Sequence, residues 1–306
     1  MVQKLLQYDV LDRLGEGAKS TIYAVLDPST RKTFALKHVV RKEDKDIRYV
    51  EQMEQEFEVS RNLNHPVLRK CYDLKVTKTL LLRVTEAFLV MELVTGKTLD
   101  QDLPRALLDI LDIFIQVADG VRAMHQAGYV HCDIKPINII RDDQRQIKII
   151  DFGQSARAGT VKDRIQGTPD YIAPEQVVRR PVMPQTDVFN LGASLYWALT
   201  GRTIPTLYTV NKQGDNSLLA HDLIQTPLEL NPTIPPMLSK LIMECIATSP
   251  SKRPADMGEV IQRLELAKHI ILKAQGKLPA PDALTADDSI GEFAAREKID
   301  SDSVEL

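Results

Sequence analysis

Cysteine is scarce in this chain: three residues among 306, Cys71, Cys132 and Cys245, an odd number with no C-x-x-C spacing. They can build neither a disulfide framework nor a zinc knuckle, which points to a reducing compartment. Long apolar runs are missing as well. The most apolar stretch, Leu191 to Thr200, falls well short of the ~20 residues a helix needs to cross a bilayer. The start, Met1 to Asp9, has no apolar run of signal-peptide length, and Val2 stands where N-myristoylation requires glycine. The expectation is a soluble, cytoplasmic protein with no membrane span. Positive charge is not in excess either: the formal net charge is −3. A nonspecific nucleic-acid binder is normally basic, so no nucleic-acid partner is expected. What remains is ordinary globular material, 43% hydrophobic and 26% charged, long enough for two domains or one bilobal unit with a real core.

The first ninety residues read as strand-rich. Tyr8–Leu14 and Thr21–Leu26 flank a glycine turn, and Thr33–Val40 follows the turn Asp27-Pro28-Ser29-Thr30. Residues 48–63 carry Val50, Met53 and Phe57 at helical spacing, ending before Pro66. Leu80–Leu82 and Ala87–Leu93 read as two further strands. From residue 104 the period lengthens: Leu107, Leu108, Leu111, Phe114, Ile115, Val117, Ala118 and Val121 predict a long helix closed by Gly128. Residues 187–200 and 256–273 are further helices, the last closed by Gly276. Strands first and helices later predict an α+β chain with two lobes. Residues 282–306 hold eight acids and two bases, a net of −6 that leaves +3 for residues 1–281. Apolar periodicity fades there, as expected of a solvated, flexible tail.

The segment Leu14-Gly15-Glu16-Gly17-Ala18-Lys19-Ser20-Thr21-Ile22 lies between two strands. A P-loop needs glycine just before the lysine and again five residues earlier; those positions hold Ala18 and Arg13, and a strand follows instead of a helix. A Rossmann fingerprint fails for the same reason. Two readings stay open: a plain glycine turn, or a Gly-x-Gly-x-x-Ser hairpin whose small residues let backbone N–H groups approach phosphate oxygens.

Other pieces follow in order. Phe34-Ala35-Leu36-Lys37 puts a lysine on the next strand. His131-Cys132-Asp133-Ile134-Lys135-Pro136-Ile137-Asn138 follows the long helix. Asp151-Phe152-Gly153 follows an apolar strand, and Gly167-Thr168-Pro169 precedes Ala173-Pro174-Glu175. Together these motifs make residues 8 to about 272 resemble a eukaryotic-type (Hanks-type) Ser/Thr protein kinase catalytic domain. The resemblance implies a small β-rich N-lobe with one helix (residues 1–93), a larger helical C-lobe (94–275) and an acidic tail (276–306).

It also implies Mg-ATP as cofactor and protein Ser/Thr hydroxyls as acceptors. Phosphoryl transfer asks mainly for positioning and neutralisation of spreading negative charge. On the family pattern Leu14 to Ile22 (with Glu16, Ala18, Lys19 and Thr21) covers the nucleotide. Lys37 grips the α/β-phosphates, held by Glu56 in preference to Glu54 or Glu58. Asp133 is the catalytic base and Lys135 steadies the γ-phosphate, while Asn138 and Asp151 are the Mg²⁺ ligands. Adenine contacts backbone groups around Glu92 and Val94 beside the gatekeeper Met91, under Leu14, Ile22 and Ala35. His131 is expected to support the catalytic loop rather than bind metal. Asp187 should anchor that loop, and Glu175 should pair with Arg253.

The chain also departs from the pattern. Ser20 replaces the third glycine. Cys132 replaces the arginine that pairs with a phosphorylated activation loop, implying a kinase that does not require that phosphate. Ile137 replaces a glutamate that selects basic peptides. Ser60 stands where a large apolar residue is usual. Presence of Lys37, Asp133, Asn138 and Asp151 favours an active enzyme; the alternative is a pseudokinase or scaffold that binds nucleotide without turnover.

Overall fold

The computed structural model describes residues 3–17, 19–80, 83–213 and 224–276. Ala18, Leu81, Leu82 and the acidic tail from residue 277 on lie outside the described residues.

An antiparallel sheet of six strands occupies the first part: β1 (Lys4–Leu5), β2 (Tyr8–Glu16), β3 (Ser20–Leu26), β4 (Thr33–Val40), β5 (Cys71–Lys78) and β6 (Val84–Met91), ordered β1-β2-β3-β4-β6-β5. Asp27 caps the β3–β4 turn, accepting from the backbone and hydroxyl of Ser29. Of the strand expected at Leu80–Leu82, Leu80 is a fully exposed turn residue, while Leu81 and Leu82 lie outside the described residues; the strand Cys71–Lys78 was not anticipated. Helix α1 (Ile47–Arg61) crosses between β4 and β5. Its Val50 and Met53 pack with Ala35, Leu89 and Met91, and Phe57 lies against the same cluster. Glu56 and Ser60 share the buried face.

The second part is helical. It holds β7 (Lys97–Thr98), α2 (Leu107–Gln126), β8 (Tyr129–Val130), β9 (Ile139–Arg141), β10 (Ile147–Ile149), β11 (Ala156–Arg157), α3 (Pro174–Val177), α4 (Pro184–Thr200), α5 (Leu207–Gln213), α6 (Pro227–Leu230), α7 (Pro236–Cys245) and α8 (Met257–Ala274). Helix α2 is the pillar: Leu111, Phe114, Val117, Ala118 and Val121 have no exposed surface, and α4, α7 and α8 complete the core around it. Burying such side chains contributes ~1.5–3 kcal/mol each. Gly192 lets α4 and α7 meet, because a Cβ there would sit 2.5 Å from the Cβ of Cys245. Glu175 and Arg253 form the expected buried pair through two contacts of 2.8 and 2.9 Å. Arg253 also donates to the Ala247 and Gln185 carbonyls.

The result is an α+β, bilobal architecture. Segment 67–69 ties the sheet to the helical part: Ile149 N–H donates to the Val67 carbonyl (2.7 Å) and Arg69 N–H to the Ile149 carbonyl (3.1 Å). Among the described residues no helix is long and apolar enough to cross a membrane.

Candidate active site

The β9–β10 hairpin carries the site. A short turn of helix, Pro136–Asn138, leads into β9, and β10 runs toward Asp151. The pairing Ile147↔Arg141 to Ile149↔Ile139 therefore brings the polar ends Asn138 and Asp151 side by side, with Ile139, Ile147 and Ile149 buried beneath.

Around Asp133 three side chains close on one another. Lys135 Nζ donates to Asp133 Oδ2 (2.7 Å) and to Thr168 Oγ1 (2.5 Å), while Thr168 Oγ1 donates to Asp133 Oδ1 (2.9 Å). Asn138 Nδ2 donates to the Asp133 carbonyl (2.9 Å), leaving its Oδ1 without a hydrogen-bond partner among the described residues. Gly167 makes this approach possible: its φ of +138° and a Cβ position 2.9 Å from Ile172 admit no larger residue.

A second cluster spans the lobes. Lys37, paired with Ile22 across β3–β4, reaches Glu56 Oε2 at 2.6 Å and Asp151 Oδ1 at 3.8 Å. Glu54 and Glu58 make no contact with Lys37 among the described residues. Burial works against the Lys37 ammonium, yet Glu56 and Asp151 outweigh it and raise its pKa. Burial likewise opposes the Asp151 carboxylate, but Lys37 and Arg69 prevail and hold its pKa below the ordinary carboxylate value. A cavity of about 200 Å³ opens beside this second cluster, lined by Gly17, Lys19, Ser20, Lys37 and Asp151 among others. A larger cleft of about 490 Å³ lies on the other side of the helical part, between α2, α8 and the β9–β10 turn. Within it Lys268 pairs with Asp112 and Arg145 with Asp109.

The glycine segment forms the ends of β2 and β3, with Gly15↔Ile22 and Glu16↔Thr21 paired; Gly17 N–H donates to the Ser20 carbonyl (2.7 Å). Leu14 is exposed and Glu16 pairs with Arg13. Ala35 and Met91, partners in the register of β4 and β6, are buried. Glu92 N–H is taken by the Lys70 carbonyl (2.8 Å), and the Glu92 carboxylate pairs with Lys148. Val94 lies just beyond in the connection to β7.

Behind the site, Asp187 accepts from the backbone N–H of His131 and Cys132 (both 2.7 Å) and lies 2.8 Å from His125 Nε2. The loop needs this grip, since Cys132 sits in the left-handed region at φ +68°. The Cys132 thiol is fully buried, and burial pushes its pKa up to about 12. The His131 ring meets Phe152 edge-on at 5.7 Å. Two contacts had no signal in the motifs: Arg69 donates to Glu56 Oε1 (2.8 Å), and Lys19 lies 3.5 Å from the buried Asp46.

The protein kinase domain family model matches residues 8–264. Among curated proteins, serine/threonine-protein kinase PknL of Mycobacterium tuberculosis is 30% identical over 291 residues, covering 90% of this chain and 69% of that protein. PknA of the same organism is 29% identical, covering 81% of this chain and 58% of its own length. A probable serine/threonine-protein kinase of Clostridium acetobutylicum is 28% identical over 86% of this chain, which spans only 40% of that relative. With the match running from the first long strand into the last helix, and both charged clusters lying inside it, the chain belongs to the protein kinase domain family.

Proposed function

We propose that this chain is an ATP-dependent serine/threonine protein kinase, with residues 1–93 as its N-lobe and 94–275 as its C-lobe. The observation that carries the proposal is the triangle of Asp133, Lys135 and Thr168 beside the Lys37–Glu56–Asp151 cluster, the two linked by the β9–β10 hairpin that presents Asn138 and Asp151. The names of the relatives support the Ser/Thr acceptor class.

Asp133 takes the proton of the acceptor hydroxyl as that oxygen bonds to the γ-phosphorus and the bond to the β-phosphate oxygen breaks, releasing ADP. Lys135 meets the γ-phosphoryl oxygens from beside the base, and Lys37, steadied by Glu56, meets the α/β-phosphates. The segment Leu14–Ile22 offers backbone N–H groups above them. Because Glu92 N–H is already bonded, adenine is left the Glu92 carbonyl and the backbone of Val94, beside Ala35 and Met91. Among the described residues no three His, Cys, Asp or Glu gather to hold a metal on their own. The Asp151 carboxylate and the free Asn138 Oδ1 are hard oxygen donors that suit Mg²⁺ when phosphate oxygens complete its shell. Bound there, Mg²⁺ would neutralise charge developing on the phosphates.

Cys132 cannot pair with a loop phosphate, so activity should not depend on one. Ile137 is half exposed beside the base, and an apolar side chain there selects weakly for basic residues upstream of the target. The test is a Mg-ATP phosphotransfer assay on wild type, Asp133→Asn and Lys37→Met. Each substitution should lower kcat/KM by ~10²-fold or more. Undiminished transfer by both variants would overturn the assignment; nucleotide binding without turnover in the wild type would mark a pseudokinase.

A further inference from the structure

We propose that Arg69 is a positioning residue for phosphoryl transfer: it holds one oxygen of Glu56 so that the other is presented to Lys37, from a segment fastened to the strand that leads into Asp151. The inference rests on the kinase function proposed for the site. Glu56 has no exposed surface, and a carboxylate in such a place is costly unless both oxygens are partnered. Lys37 serves Oε2 at 2.6 Å and Arg69 serves Oε1 at 2.8 Å. Val50 and Met53 press α1 onto the sheet, but apolar contact is non-directional and does not fix the rotation of the helix. Arg69 supplies a directional contact, one Nη of its guanidinium donating to Glu56 Oε1.

Arg69 is itself anchored. Its N–H donates to the Ile149 carbonyl on β10, two residues before Asp151. Its carbonyl accepts from Ser60 Oγ (3.1 Å), which accepts in turn from Cys71 N–H (2.8 Å). The hydroxyl of Ser60, at a position where a large apolar residue is usual, thus bolts α1 to the start of β5. Through one residue, the position of Glu56 is referred to the strand that carries Asp151.

The test uses the full chain with Mg-ATP and myelin basic protein as acceptor. Variants are Arg69→Met, Arg69→Lys, Glu56→Gln and the Arg69→Met/Glu56→Gln double, with thermal melts and Mg-ATP affinity by calorimetry on each. Arg69→Met should lower kcat/KM for ATP about tenfold, with the KM for the acceptor unchanged. Arg69→Lys should recover part of the loss while melting near wild type, which keeps the test alive if the methionine variant folds poorly. The double variant should be no worse than Glu56→Gln alone, because Arg69 acts through Glu56. Losses that multiply in the double variant, or an Arg69→Met enzyme within about twofold of wild type, would overturn the role of Arg69 and leave the proposed function standing. A wild-type chain that neither binds nor turns over Mg-ATP would overturn both.

Discussion

Asp187 keeps a charge where burial opposes one. Burial pushes its pKa up, but the contacts with His125 and the His131 N–H outweigh this and hold it below the ordinary carboxylate value. Its folded-state pKa is therefore lower than its unfolded one, so the stability it contributes is complete above the unfolded value of ~3.9 and is lost as pH falls through the folded value. Asp187→Asn keeps the shape and removes the charge, and should cost about 2–3 kcal/mol at neutral pH. Urea unfolding should find that gap constant from pH ~7 to ~5 and narrowing below ~4; a gap that persists unchanged to pH ~3 would assign the cost to packing instead. Residues of this kind were legible because they sit within recognisable motifs: Asp187 in the first turn of α4, Glu175 after Ala-Pro, Arg253 before Pro254. Arg69 and Asp46 were not. Each looks like one more solvated charge until tertiary folding buries it against a partner 13 or 27 positions away.

Elements with an uninterrupted buried face were readable from spacing. Helix α2 presents its apolar stripe much as the sequence pattern predicts. Strand β5 escaped detection because it is an edge strand with a register shift between Cys71 and Asp73. The shift breaks the two-residue alternation, and charged side chains occupy its open side. Leu80 is apolar yet faces solvent, so hydropathy misplaces the strand. Between elements, Gly192 sets how closely α4 and α7 approach. Gly192→Ala puts a methyl against Cys245 and should destabilise the fold by ~1–3 kcal/mol. A melting curve should record a loss of a few degrees. An unaltered melting temperature would mean that the two helices separate at no cost.

On the scale of the whole molecule, the question is what holds the segment from Asp151 to Glu175 against the C-lobe without the arginine that a loop phosphate would bind. Backbone contacts do much of this. Strand β11 pairs with β8, Gly159 N–H donates to the Val182 carbonyl (2.8 Å), and Val182 N–H donates to the Thr160 carbonyl (2.9 Å). Side chains add to it: Arg157 lies over the Tyr129 ring at 3.9 Å and donates to the Ala127 carbonyl, and Arg179 donates to the Asp163 carbonyl. Further along, Gln176 ties the Gln166 carbonyl to the Cys132 carbonyl, so the segment reaches the His131–Asp133 loop through a neutral amide. None of these contacts requires a phosphate, and the buried Cys132 thiol offers no cation to one. Phosphatase-treated protein and Thr160→Ala should therefore transfer phosphate to myelin basic protein within about twofold of the untreated enzyme, since no transition-state contact is removed. Mass spectrometry must show the treated protein free of phosphate at Ser155 and Thr160. Activity that falls tenfold on dephosphorylation and returns on rephosphorylation at Thr160 would mean that cations other than the missing arginine receive the phosphate. Control of the enzyme would then lie in the activation segment after all.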